Sequence, residues 1–313
     1  MSQVIEDTIF ALATPNGRSG VAVIRASGPA SWNGAKQLIS NDIAVREAQL
    51  FALKNPTTKN TIDHALLLGF KAPASFTGED VIEYHVHGGP AVIAEMLDVL
   101  SGLDGHRMAE PGEFTKRAFM NDKMDLTGAE AIADLIDATT QAQKAQALAQ
   151  MGGALSDLYA RWSESLKKAL AHIEADLEFP DEDLPEGVMP QVLPVIQGLI
   201  DEIAEHLDDN RRGERLRDGI HVAVIGAPNA GKSSLINALS QRDVAIVSDM
   251  AGTTRDIIEV HLDLGGYPVI LSDTAGLRPD QIGEQGHDAI ESEGIRRALK
   301  RASEADIKLL LFD

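Results

Sequence analysis

Eight residues, Gly226-Ala-Pro-Asn-Ala-Gly231-Lys232-Ser233, have the types and spacing of a loop that grips phosphate. Glycines there let backbone N–H groups converge on an anion at a helix N-terminus. Lys232 is expected to reach the β- and γ-phosphates, and the Ser233 hydroxyl to ligate Mg²⁺. Two further elements follow in the order a triphosphate switch requires, Gly252-Thr253-Thr254-Arg255-Asp256 and Asp273-Thr274-Ala275-Gly276. A switch-loop threonine senses the γ-phosphate through the metal, which makes Thr254 the second Mg²⁺ ligand. Asp273, at a strand end, suits the metal's water shell, and the Gly276 N–H suits the γ-phosphate. Leu277 stands where Ras-like enzymes carry the glutamine that orients water, so that task must fall elsewhere. Asn229 leaves two readings open: its carbonyl oxygen helps hold a monovalent cation where other systems place an arginine finger, or it only shapes the loop.

These residues need a parallel sheet behind them. The apolar run Ile220-His-Val-Ala-Val-Ile225 reads as the strand feeding the loop, and Lys232 to Leu239 as the helix leaving it. Strands Ile257 to Leu264 and Pro268 to Leu271 are joined by Gly265-Gly266 as a hairpin. A helix near Asp288 to Ala302 and a strand start over Ile307 to Phe312 complete this α/β zone, residues 218–313. The sequence ends at Asp313 ahead of any Asn-Lys-x-Asp guanine-reading motif, so the zone is expected to be a partial P-loop G domain.

Residues 123–217 are helical in pattern. Leu155, Leu158, Tyr159, Trp162, Leu166, Ala169, Leu170, Ile173 and Leu177 recur at three- and four-residue spacing on one face. Ala129 to Leu148 reads as one Ala/Gln-rich helix, and Phe179 to Gly187 as an acidic turn. Val192 to Leu207 resumes the helical period. Arg211 to Arg217 reads as the basic end of that last helix. Residues 1–122 mix short β-rich runs and helices, an α+β domain. Its strands are Val21 to Arg25, read as buried, Ala65 to Phe70, and Val81 to His87, with a helix over Ala91 to Leu100. His85 and His87 alternate onto one strand face, a spacing a metal can use, but no third ligand adjoins them in sequence. The fold class is therefore multidomain α+β with a central helical bundle.

The formal net charge of −20 opposes non-specific binding to a phosphate backbone. With no cysteine, disulfides and thiolate metal sites are excluded. The first residues lack the basic start and apolar core of a signal peptide, and no run approaches the roughly 18–20 apolar residues of a membrane helix. A cytoplasmic protein without a membrane partner is expected.

Asn229 in the loop, Gly252 to Asp256 and Asp273 to Leu277 resemble the G domain of the MnmE (TrmE) family of tRNA uridine-34 modification GTPases. Upstream, Thr14 to Arg25, Ser75 to Glu83 with His87-Gly-Gly89, Ala109 to Phe119, and Asn121 to Leu126 leading into Ala129 to Ile136 resemble it as well. The resemblance covers essentially the whole chain. It implies a K⁺-dependent GTPase activated when two G domains meet across a dimer. The nucleotide would lie against Asn229, Ala230, Gly231, Lys232, Ser233, Ser234, Ser248, Asp249, Met250, Ala251, Gly252, Thr253, Thr254, Asp273, Thr274, Ala275 and Gly276. K⁺ would be bound by Asn229, Ser248, the Met250 carbonyl and Thr253, and Mg²⁺ by Ser233 and Thr254. Glu291, ahead of Gly294-Ile295, matches the family glutamate that orients water. The N-terminal domain would resemble folate-binding folds and hold a 5-formyltetrahydrofolate-type donor at Arg25, Glu83 and Lys123. Implied partners are a second copy through the N-terminal domain, the flavoprotein MnmG, and tRNA through that complex. Without the family's remaining segments, the helices of residues 123–217 would expose an apolar stripe. Two other functions compete: a GTP-regulated assembly module that does not hydrolyse, and a folate-binding dimeric remnant with a non-functional G domain.

Overall fold

Alternating apolar residues and short turns make residues 8–108 a six-stranded sheet with two helices, as the computed structural model shows. The structure describes residues 7–178, 188–226, 230–240, 245–246, 259–273 and 303–312, in two units, Met1–Ala129 and Glu130–Asp313. The first unit runs β1 (Thr8–Leu12), β2 (Ser19–Ser27), α1 (Ser31–Leu38), β3 (Gln49–Lys54), β4 (Thr61–Phe70) and β5 (Val81–Gly88). It continues through α2 (Pro90–Ser101), β6 (His106–Met108) and α3 (Glu113–Met120). The six strands pair in the order β3-β4-β5-β2-β1-β6, antiparallel except for β1 with β6.

Period-two alternation decides which face is covered. Ile24 and Ala26 of β2, Leu67 of β4, and Ile82, Tyr84 and Val86 of β5 join Leu38, Met96 and Leu100 from α1 and α2 in one core. Burial pushes the Tyr84 hydroxyl's ionisation upward. The intervening residues, Arg25 on β2 and Glu83 and His85 on β5, lie on the opposite face. Val21 to Arg25 is thus a strand buried on one side only: Ala22 and Ile24 are covered, whereas Val21 is 56% exposed.

The chain then forms α4 (Leu126–Asp137), α5 (Gln141–Met151), α6 (Ala154–Glu178), α7 (Val188–Leu207) and α8 (Arg212–Asp218). Two helical expectations are corrected here. Residues 129–148 are not one helix; Thr140 breaks it, accepting from Gln143 N while the Gln143 side chain bonds back to Thr140 N in a capping box. Arg211 to Arg217 does not end α7 either. Asn210 and Arg211 take positive φ, and a separate short helix follows. Three basic side chains at and in it go to carboxylates, Arg211 to Glu214, Arg215 to Asp306 and Arg217 to Asp134.

α6 and α7 pair through Ala169, Val192 and Leu199, all buried, and Trp162, which donates to Glu202 at 2.9 Å. Much of their apolar stripe is open, with Leu170, Leu193, Ile200 and Leu207 between 53% and 74% exposed.

The α/β part follows as β7 (Ile220–Gly226), α9 (Lys232–Ser240), β8 (Ala245–Ile246), β9 (Glu259–Leu264), β10 (Tyr267–Asp273) and β11 (Ile307–Leu311). Its sheet order is β11-β7-β10-β9-β8, with β7 parallel to both neighbours. The Gly265-Gly266 turn joins β9 and β10 with both φ values positive, as a two-residue hairpin requires. The Gly266 carbonyl accepts from Ala142 N in the first turn of α5 at 3.2 Å. The helix expected near Asp288 to Ala302 and the turn at Phe179 to Gly187 lie outside the described residues. No helix among the described residues is long and apolar enough to cross a membrane.

Candidate functional site

Two places gather the residues that sequence singles out. The first is the carboxyl end of the parallel strands. β7 stops at Gly226, with β10 beside it ending at Asp273 and β11 ending at Leu311, the register partner of Gly226. A Cβ at Gly226 would collide with the Leu311 carbonyl, so only glycine lets these two strands lie together there. Gly231 takes φ +89° and turns the chain into α9, where Leu235 N donates to the Gly231 carbonyl at 2.9 Å. Lys232, the first residue of that helix, is 8% exposed, and its Nζ donates to the Gly226 carbonyl at 2.8 Å.

A buried ammonium at a helix N-terminus behind a left-handed glycine suits a phosphate chain, by charge and by backbone dipole. Ala230 and Ser234 sit on the same turn, and Ser233 and Asp273 are placed by their backbone. Asn229, Ser248, Asp249, Met250, Ala251, Gly252, Thr253, Thr254, Thr274, Ala275, Gly276 and Glu291 lie outside the described residues.

The second place is the face of the first unit's sheet opposite α1 and α2. Arg25 and Glu83 are register partners on β2 and β5, and the guanidinium binds Glu83 Oε1 from Nε at 2.9 Å and from the second amino group at 2.8 Å. Both side chains are partly exposed, 26% and 15%, which leaves them open to a ligand. The guanidinium carbon lies 5.5 Å from the Phe76 ring centre and 5.6 Å from that of Phe114. Lys123 does not join the pair directly. Its Nζ donates to the Pro73 carbonyl at 2.8 Å, in the same β4–β5 loop that carries Phe76. A carboxylate acceptor, a guanidinium donor and two phenyl rings together suit a flat heteroaromatic ligand with an anionic tail. Phe76 and Phe114 escape sequence reasoning as site residues; the signal was their place inside the Ser75-Phe76-Thr77 and Glu113-Phe114-Thr115 motifs.

Beside Phe76 and Phe114 lies an ion network between α3, the β4–β5 loop and the strand edge. Arg117 is 3% exposed and binds Asp7 at 2.7 Å, Glu79 at 3.2 Å and Glu113 at 3.2 Å. Arg107 binds Asp7 and Glu113 as well. The hydrogen bond from Arg107 holds the Glu113 carboxyl down to about 2, against the opposing effect of burial. Burial also works against charge on Asp7, but the two arginines outweigh it and hold that carboxyl below the usual range. On the open face His87 Nδ1 meets Asp63 at 2.8 Å, and His85 Nε2 lies 3.5 Å from Glu83. Among the described residues no three ligand-type side chains are grouped for a metal.

The family model described as the "GTP-binding protein TrmE N-terminus" matches residues 8–123, and that of the "MnmE helical domain" matches residues 126–308. The tRNA modification GTPase MnmE of Parvibaculum lavamentivorans is 55% identical over 306 residues, 97% of this chain and 68% of that protein. The protein of the same name from Rhodospirillum rubrum is 53% identical over 98% of this chain and 69% of its own length. The mitochondrial 5-taurinomethyluridine-(tRNA) synthase subunit GTPB3 of Danio rerio is 51% identical over 98% of this chain and 61% of its own. With two family models side by side along nearly its whole length and relatives at this identity, the chain belongs to the MnmE (TrmE) family.

Proposed function

We propose that this chain is a GTP-hydrolysing enzyme of tRNA modification, with the triphosphate bound along the loop from Gly226 to Ser234. The observation that carries this is Lys232, a buried ammonium at the first turn of α9, set at the carboxyl end of three parallel strands. The relatives named tRNA modification GTPase support the same reading. Lys232 neutralises the β- and γ-phosphates while the α9 N-terminus and the loop amides fix their position. Ser233 and Thr254 would hold Mg²⁺, and Asn229, Ser248, the Met250 carbonyl and Thr253 would hold K⁺; both would supply positive charge beside the phosphate oxygens as the γ-phosphoryl passes to water and GDP departs. Glu291 orients the attacking water.

The finer assignment follows the family. Residues 1–122 form the dimerising domain that takes a 5-formyltetrahydrofolate-type donor at Arg25, Glu83 and Lys123, residues 123–217 the helical domain, and residues 218–313 the G domain. With the flavoprotein MnmG in the cytoplasm, the protein places an aminomethyl or carboxymethylaminomethyl group on the wobble uridine of tRNA. The arginine–carboxylate pair beside two phenyl rings favours the folate-class ligand.

Hydrolysis measured at equal ionic strength in KCl and NaCl tests the cation. A rate several-fold higher in K⁺ is expected, and equal rates overturn that role. Lys232→Ala should lower kcat/KM by about 100-fold or more, with the fold intact. Turnover at the wild-type rate would place the triphosphate elsewhere.

A further inference from the structure

We propose that Arg117 is a positioning residue for the Arg25–Glu83 site, acting through the β4–β5 loop that sets Phe76 beside Arg25. The assignment rests on reading that face as a folate-class site and identifies what holds it in shape. The loop, residues 71–80, carries no helix or strand, so fixing it costs backbone entropy that side chains must offset.

Three residues in and just after α3 supply that restraint at successive points. Arg117 reaches the Glu79 carboxylate at 3.2 Å, Asn121 Nδ2 donates to the Thr77 carbonyl at 2.7 Å, and Lys123 Nζ donates to the Pro73 carbonyl at 2.8 Å. Arg117 and Asn121 are four positions apart, so they lie on one side of the helix end.

The other side of the loop is pinned from β2. Ser27 Oγ donates to Glu79 Oε2 at 2.6 Å and lies 2.7 Å from Thr77 Oγ1, with both Ser27 and Thr77 fully buried. Ser27 is two residues past Arg25 and therefore on the same face of the strand. One strand thus offers its guanidinium to Phe76 and its hydroxyl to the residues on either side of Gly78. Arg117 is the buried cation shared by Glu79, Asp7 and Glu113, and it fixes where Glu79 stands. Among the described residues its ion pairs go to Asp7, Glu79 and Glu113 and not to Arg25 or Glu83, so its effect on a ligand is indirect. One route runs through Glu79 to the loop; the other is Glu113 beside Phe114 on α3, which the Phe76 variants separate from the first.

Calorimetric titration of the full chain with 5-formyltetrahydrofolate tests this, using wild type, Arg117→Lys, Asn121→Ala, Phe76→Ala and the Phe76→Ala/Asn121→Ala pair. Arg117→Lys and Asn121→Ala should each weaken binding by about tenfold, the loss of one well-placed hydrogen bond. Asn121→Ala removes no buried charge and keeps the test available if Arg117→Lys does not fold. A stability defect alone would leave the affinity of the folded fraction unchanged. If the restraint works through Phe76, adding Asn121→Ala to Phe76→Ala brings no further loss. Independent, multiplying losses, or folded single variants that bind like wild type, overturn the assignment alone. No binding by the wild-type chain overturns the folate reading and this assignment with it.

Discussion

At the scale of single residues, a strongly perturbed carboxylate lies beside the binding face. Glu113 sits in the first turn of α3, accepts from Glu110 N at 2.8 Å, and is paired with both Arg107 and Arg117. Its carboxyl titrates at about 2 instead of the ordinary 4.5, so the folded state holds the ionised form more tightly than the unfolded chain does. The resulting stability is fully present above pH 4.5 and is lost as pH falls through the window toward 2. Glu113→Gln should therefore be less stable than wild type at pH 7, with a gap that narrows across that window. Urea unfolding of both proteins at pH 7, 4 and 3 measures it; a gap independent of pH would show that charge is not the cause. Of this network only Glu113–Arg117, at i,i+4 on α3, is local enough to be legible in sequence. Arg117 meets Glu79 and Asp7 across separations of 38 and 110 positions, and no local pattern announces such partners.

Elements were read more successfully where period and turn chemistry agreed. β2, β4, β5 and α2 fall on the runs that suggested them, and the hairpin at Gly265-Gly266 follows from its two glycines. The phosphate loop sits between a strand and a helix, as its motif demands. The break between α4 and α5 is signalled by Asp137-Ala138-Thr139-Thr140 and by the capping-box spacing of Thr140 and Gln143, a signal that the Ala/Gln-rich composition on either side outweighs when propensity is averaged along the run. What starts α5 as a separate helix is a pair of hydrogen bonds at Thr140, which is 4% exposed. Thr140→Ala should cost about 1 kcal/mol. It should lower the urea midpoint with no change in slope. An unchanged midpoint would mean that packing alone sets the break. The site was half legible for a similar reason: Arg25 and Glu83 are joined by register, but Lys123 contacts the loop backbone instead of the pair.

For the whole molecule, charge sets the terms of contact with RNA. The chain carries 48 acidic against 28 basic residues, and its most basic run spends Arg211, Arg215 and Arg217 on carboxylates. Purified alone at about 150 mM salt, it should not retain tRNA on a filter, because screened long-range attraction is weak and its sign is wrong. Retention with a steep salt slope would reveal a basic patch and make the partner unnecessary for binding. Distance along the chain matters in another way. The first residue of the phosphate loop, Gly226, is shaped by the Leu311 carbonyl, which the ribosome delivers long after the loop itself. Until β11 has emerged and paired with β7, one wall of the loop's entrance is missing. Competence for nucleotide thus waits on a strand made about 85 positions after the loop begins, although the loop's own residues are local in sequence.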